Sequence, residues 1–180
     1  MEIFDRIKNI IARMCSKLVY DTKNILLNGI ASSIYPHPIK MLIYNALGYK
    51  IHKSSRIYPQ CFLGAGKGKL YLGSNSYINY RCFLDLGDDI IIGNNVSIAF
   101  CCIFINSTHE IATKNKRAGK GKSSRIIIED GCWIGAHTTI LPGVRIAKGC
   151  VVGANSLIVK DTEENGLYVG SPAKRIKTLS

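Results

Sequence analysis

From Ile128 onward a branched aliphatic residue returns at every sixth position: Ile134, Ile140, Ile146, Val152 and Ile158. Four residues after each aliphatic stands a smaller side chain: Cys132, Thr138, Val144, Cys150, Ser156 and Thr162. One residue after the aliphatic, Gly135 and Gly153 recur, with Ala147 between them. The same frame runs earlier with shifts, through Ile51, Ile57 and Leu63, then Leu72, Ile78 and Leu84, then Ile92, Ile98 and Phe104. Its small position there holds Ser55, Cys61, Ser76, Cys82, Val96, Cys102 and Thr108, and Lys67 and Asp88 interrupt it. A period of six fits neither a 3.6-residue helix nor a plain alternating strand. It predicts short strands joined by tight corners, three to a coil, with the aliphatics stacked inward and the small residues at the cramped inside of each corner. Gly131, Gly143, Gly149, Asn94 and Asn95 are suited to such corners, because they tolerate unusual backbone angles. The expected fold is all-β, a parallel β-helix of about five coils, roughly 24 Å long at ~4.8 Å per coil.

Residues 1–50 lack the frame. Ile3, Phe4, Ile7, Ile10, Ile11, Met14 and Leu18 fall at helical spacing, with Arg6, Lys8, Arg13 and Lys17 between them. Pro36 and Pro38 end any helix there, and a second short helix is expected from Ile39 to Leu47, stopped by Gly48. Two readings of the first helix stand. It is a cap over the open end of the β-helix, or a basic amphipathic helix lying on an anionic membrane. The general need to cover such an end favours the cap. The frame breaks again between His109 and Ile128, where residues 110–125 are rich in Lys, Gly and Ser (KNKRAGKGKSS). An insertion into a regular solenoid must leave its surface, as a functional loop or as a disordered basic one. The stretch GAGKGK at 64–69 is read as a corner with a small insertion, because no Lys-Ser/Thr pair follows to make a phosphate loop. The expected organisation is a helical cap (1–50), a β-helix (51–163) carrying the insertion 110–125, and a C-terminal tail (164–180).

Composition narrows the function. The formal charge of +12 favours an anionic partner. No apolar run approaches the ~20 residues of a membrane span, the nearest being broken between Ile25 and Ile34 by Asn28, Gly29, Ser32 and Ser33. With no secretory signal pattern the chain is expected in the cytoplasm, with the basic helix as its route to the inner face of the membrane. The seven cysteines show no framework spacing and no CxxC pair, and five of them (Cys61, Cys82, Cys102, Cys132, Cys150) occupy the small slot. They read as reduced packing residues, with no metal site expected.

The ordered stretches IGNNVSIAFCCIFINSTHEI, IIIEDGCWIGAHTTILPGVRIAKGCVVGANSLIVKD and YVGSPAKRI resemble the hexapeptide-repeat acetyltransferases over about residues 48–178. That group includes galactoside, maltose, serine and xenobiotic acetyltransferases and many polysaccharide O-acetyltransferases. NGIASSIYPHPIKMLIYNALGYKI and INYRCFLD look most like the O-acetyltransferases of cell-surface polysaccharides. The resemblance implies a left-handed helix, a homotrimer, and acetyl-CoA as co-substrate in the groove between neighbouring prisms. It implies a saccharide acceptor rather than nucleic acid, and a loop reaching over a neighbour's site.

Carried onto this chain, the resemblance makes His109 the general base, since a hydroxyl needs a base with a pKa near 7 within hydrogen-bond reach. Asn79 matches the active-site asparagine, and Asp85 the acidic residue that orients the histidine or binds the acceptor. A corner role satisfying local backbone is the alternative for both. Trp133, Gly135, Ala136, Gly153 and Ala154 match the pantetheine groove, and Lys160, Lys174 and Arg175 suit the CoA phosphates. His37 and His52 are weaker candidates, and His137 is expected on an outer corner near the groove. Asn79 and His109 fall on different faces, so a shared site would need two subunits. The rivals are a γ-type carbonic anhydrase, which would need three zinc-binding histidines, and a membrane-docked assembly protein without catalysis. Among acceptors a sugar hydroxyl stands first, a xenobiotic hydroxyl second, and a nucleotide-sugar amine or serine third.

Overall fold

The computed structural model describes residues 2–32, 36–64 and 66–180. Two helices precede the strands, α1 (Glu2–Ser32) and α2 (His37–Ala46). The strands then wind around three faces. The first face stacks β1 (Lys50–Ile51), β4 (Leu70–Leu72), β7 (Ile90–Ile92), β12 (Ile126–Ile128) and β15 (Arg145–Ile146). The second stacks β2 (Arg56–Ile57), β5 (Tyr77–Ile78), β8 (Ser97–Ile98), β13 (Trp133–Ile134), β16 (Val151–Val152) and β18 (Gly166–Gly170). The third stacks β3 (Phe62–Leu63), β6 (Phe83–Leu84), β9 (Ile103–Phe104), β14 (Thr139–Ile140) and β17 (Leu157–Ile158). All neighbours within these stacks are parallel. This is the parallel β-helix that the six-residue frame predicts, with five full coils and β18 opening a sixth.

The registers repeat the sequence frame. Ile78 pairs with Ile98, Ile98 with Ile134, and Ile134 with Val152, and all four are buried. The small slot does more than fit. Its thiols and hydroxyls donate hydrogen bonds to corner carbonyls of the next coil: Cys61 Sγ to Asn79 O (3.1 Å), Cys82 Sγ to Ala99 O (3.2 Å), Cys102 Sγ to Gly135 O (3.2 Å) and Ser76 Oγ to Gly93 O (2.7 Å). Corner carbonyls turned into the core would otherwise be buried without a partner, at a cost of about 1–3 kcal/mol each. Except at Val96 and Val144, the buried slot is therefore a row of small donors, which is why Cys, Ser and Thr recur in it.

Three boundaries differ from those the sequence suggests. Residues 164–180, expected as a C-terminal tail, carry two strands. β18 lies in register on β16 (Val152 opposite Tyr168), and β19 (Ala173–Thr178) folds back antiparallel on β18. A strand joins the stack through its backbone, so it needs no aliphatic-small pair to do so. The insertion is neither a plain loop nor disordered. It is the antiparallel hairpin of β10 (Ser107–Ile111) and β11 (Ala118–Ser123), beginning three residues before the frame visibly breaks. The second helix starts at His37 rather than Ile39, because Pro38 sits in its first turn, where a missing N–H leaves nothing unsatisfied.

The first helix runs on to Ser32, well past Leu18. Among the described residues, its C-terminal end rests on the prism: Leu27 is buried, and the Asn28 side-chain oxygen accepts the Leu63 N–H at 2.9 Å. Together with α2, whose Lys40, Met41 and Tyr44 are buried, this end covers the first coil. The side chains of Ile3, Phe4, Ile7 and Lys8, at the start of the predicted stripe, lie outside the described ones, as does Ala65 of the GAGKGK corner.

Candidate active site

The edge between the second and third faces gathers Asn79, Gly135, Ala136, Gly153 and Ala154. Asn79, Ala99, Gly135 and Gly153 each follow their inward aliphatic and form one column. Its N–H groups donate coil to coil: Asn79 to Ile98 O (3.0 Å), Ala99 to Ile134 O (2.9 Å), Gly135 to Val152 O (2.8 Å) and Gly153 to Tyr168 O (2.8 Å). Tyr80, Phe100, Ala136 and Ala154 come next. The corner then closes through Arg81, Cys101, His137 and Asn155, all with left-handed φ between 57° and 59°. Non-glycine residues adopt that conformation only where the surrounding structure enforces it.

The glycines of the column have a reason within the fold. A Cβ at Gly135 would lie 2.6 Å from the Ala154 nitrogen, and one at Gly153 would lie 2.7 Å from Val169 Cγ1. The next coil demands them, whatever else lies against the edge. Small side chains at 136 and 154 keep the edge low, so that an extended ligand could reach the backbone.

Lower on the same edge a cleft of about 480 Å³ is lined by Gln60, Tyr80, Arg81, Phe100, Cys101 and His137. Arg81 Nε donates to Gln60 Oε1 (2.8 Å), and the His137 ring packs edge-on against Phe100 with centroids 5.6 Å apart. Asn79 uses its side-chain oxygen locally, accepting the Tyr80 N–H at 2.8 Å. Trp133 points outward from the second face and is more than half exposed.

His109 lies elsewhere. Its hairpin leaves the edge between the third and first faces, and His109 is exposed on β10 directly opposite Gly121 on β11. The hairpin's base is braced from the coil below. Asp85 Oδ2 accepts the Ser107 N–H at 2.8 Å. Asn106, fully buried, accepts the Gly87 N–H at 2.8 Å, donates to Asp88 O, and takes the Ser124 N–H on its own carbonyl at 2.9 Å. Asp85 thus holds the start of the strand that carries His109, two residues away. Asn106 is not among the residues that the sequence pattern singles out. Its signal was an asparagine three residues before the histidine, at a break in the frame, where a buried amide can bridge two loops.

One chain does not bring Asn79 and His109 together, since the whole third face separates their edges. The three basic candidates lie at the far end. Lys160, Lys174 and Arg175 line a cleft of about 290 Å³ with Asp161, Glu163, Tyr168 and Ala173. Arg175 is already engaged there, paired with Glu163 and donating to Glu164 O at 3.2 Å. Lys160 and Lys174 are exposed. Among the described residues no three His, Cys, Asp or Glu side chains are placed to hold a metal ion.

Comparison with known proteins agrees with this architecture. Residues 125–160 match the family described as bacterial transferase hexapeptide (six repeats). The chain is 31% identical over 123 residues to the galactoside O-acetyltransferase of Lactococcus lactis subsp. lactis, covering 68% of this chain and 59% of that protein. It is similar to the structure of a hexapeptide-repeat acetyltransferase from Vibrio cholerae in complex with acetyl coenzyme A, with a TM-score of 0.76, 26% identity and coverage of 88% and 86% of the two chains. It is also similar to an N-acyltransferase from Bacillus cereus in complex with dTDP and 3-hydroxybutyryl-CoA, with a TM-score of 0.61, 27% identity and coverage of 70% of each chain. The repeat, the coil and these matches together define the class: the chain belongs to the hexapeptide-repeat family. It spans less than two thirds of the length of the galactoside O-acetyltransferase that it matches.

Proposed function

We propose that the protein transfers an acetyl group from acetyl-CoA to a sugar hydroxyl, on a polysaccharide or its precursor, with His109 as general base. The observation that carries the reading is the placement of His109. It is an exposed imidazole on a hairpin braced by Asp85 and Asn106, in a fold shared with a protein solved with acetyl-CoA. The acceptor hydroxyl would attack the thioester carbonyl while His109 takes its proton. Collapse of the tetrahedral adduct would break the C–S bond and release CoA, whose thiolate takes up from His109 the proton that the hydroxyl gave. No covalent enzyme intermediate is needed. Gly135, Ala136, Gly153 and Ala154 fit the pantetheine arm, with Trp133 beside them. Lys160 and Lys174 offer charge for the phosphates, and Arg175 would have to exchange its Glu163 partner to join them.

The same reading includes a homotrimer, supported by the character of the third face. The outward residues of the third face are Phe62, Phe83, Ile103, Thr139 and Leu157, with no charge among them. A face of this kind suits burial against another copy. Packing there would bring the His109 hairpin of one copy toward the Asn79 column of the next. Mixing Asn79→Ala and His109→Ala subunits is expected to restore part of the activity, scored as thiol release from acetyl-CoA with a panel of sugar acceptors. Mixed assemblies as inactive as their parents would overturn the shared site.

A second reading is N-acylation of a nucleotide-linked amino sugar, favoured by the likeness to the dTDP-bound acyltransferase and by Tyr80, Phe100 and Arg81 in one cleft. Comparing amino-sugar nucleotides with hydroxyl acceptors in the same assay separates the two.

A further inference from the structure

Between Ile10 and Leu26 the first helix carries an apolar surface that none of the described residues covers. Ile10, Ile11, Met14, Leu18, Val19 and Ile25 are each more than half exposed, and Ile25 is 75% exposed. At 3.6 residues per turn they occupy roughly one half of the helix circumference over about 25 Å. Arg13 and Lys17 run along one edge of this surface, with Arg6 about two turns farther back, and Asp21 falls within its margin, between the rows of Ile10 and Met14. Among the described residues, the prism contributes contact at the end of the helix, through Leu27 and Asn28. Soluble proteins rarely leave so continuous an apolar strip without a partner.

We propose that α1 lies on an anionic lipid surface, with this half embedded at the headgroup boundary. Three observations favour lipid over other occupants. The row of Arg6, Arg13 and Lys17 beside the strip, in a chain of net charge +12, complements anionic headgroups. The apolar surface is wider than the two positions per heptad that a helix-helix seam uses, since Ile10, Val19 and Leu26 extend it on both sides of Ile11, Met14, Leu18 and Ile25. And no described helix is long and apolar enough to cross a bilayer, so an interfacial position is the one available to it. Among the described residues, the contacts of α1 with the prism lie in its last turns, which leaves the surface from Ile10 to Leu26 free for lipid.

The test is flotation of the full chain with phosphatidylcholine vesicles, with and without phosphatidylglycerol. Binding is expected only with the anionic lipid and is expected to weaken in high salt. The double variant Met14→Glu, Leu18→Glu is expected to lose tenfold or more of that binding. Arg13→Glu, Lys17→Glu is expected to weaken it and flatten its salt dependence. Both pairs are exposed, so the melting temperature should not move. Absence of binding to anionic vesicles overturns the proposal. So does unchanged binding of Met14→Glu, Leu18→Glu, which would assign attachment to the basic hairpin. A drop in oligomeric mass of that variant in light scattering also overturns it, because the strip would then be a contact between copies.

Discussion

Ile98 and His109 stand eleven residues apart and answer to different constraints. Ile98 is sealed between Ile78 below and Ile134 above, with no exposed surface. His109 stands in solvent on a strand whose partner at that point is a glycine, and a Cβ at that glycine would meet nothing. The prism tolerates little change because each coil is the template of the next. The hairpin tolerates much, because its fold depends on backbone pairing and on the anchors at its base. With His109 as the proposed base, stability and chemistry would be separated along the chain, and substitutions should divide the same way.

The widest separation is expected at His109 itself. His109→Ala should lower acetyl transfer by about 10²–10⁴-fold, the usual contribution of a general base, and leave the melting temperature where it was. Activity within a few fold of the parent would remove His109 from the chemistry and leave the hairpin as a purely structural insertion.

Ile98→Ala is expected to do the reverse. It empties space between two flanking isoleucines and should destabilise the fold by about 2–5 kcal/mol, measured by denaturant unfolding. Activity per folded molecule should stay near the parent value. A cost below about 1 kcal/mol would mean that the coils can close around the gap, against the rigid stacking that the registers imply.

Asn106 is where the two regions meet. Asn106→Ala removes the acceptor of the Gly87 N–H and the donor to Asp88 O, and should cost about 1–3 kcal/mol. It should also loosen the hairpin's base. A fall in kcat with the KM for acetyl-CoA unchanged would mark it as a positioning residue for His109. A loss of stability with no change in kcat would confine it to the prism.

How much of this was readable in the chain follows the same division. The frame of six placed Ile98, Ile134 and Val152 on one inward row, because a repeat must bury the same position in every coil. It could not show that Arg81, Cys101 and His137 take left-handed corners. Those angles are imposed by stacking, not by residue type. The β18–β19 hairpin was invisible, since Gly166–Gly170 has strand pairing without the repeat's side chains. At the site, His109 stood out because it sits at a break in the frame, and the groove residues came from resemblance. The separation of Asn79 and His109 was legible as a count of faces. The bracing by Asp85 and Asn106 was not, because it joins coils through loops of irregular length.

The smallest effect concerns the thiols, and it tests whether the prism's interior is as closed as its registers imply. Cys15 is exposed and Cys101 partly so, while Cys61, Cys82, Cys102, Cys132 and Cys150 are buried. Burial pushes the Cys132 thiol up to about 12. Its thiolate, the form that reacts, is therefore scarce in the folded protein at pH 8, yet readily formed in an unfolded chain, where a cysteine titrates near about 8.5. Alkylation of the native protein at pH 8 should modify Cys15 and then Cys101, and the other five only after denaturation, as read by mass spectrometry. The sign of the linkage follows. A folded-state pKa above the unfolded one favours the protonated thiol in the fold. Its contribution is thus whole below about pH 8.5 and declines as the pH climbs toward about 12. Cys132→Ala should flatten the alkaline fall in stability. If Cys132 instead reacts in the native state at the rate of Cys15, the coils open far more readily than a stack with each residue held above and below by its neighbours should allow.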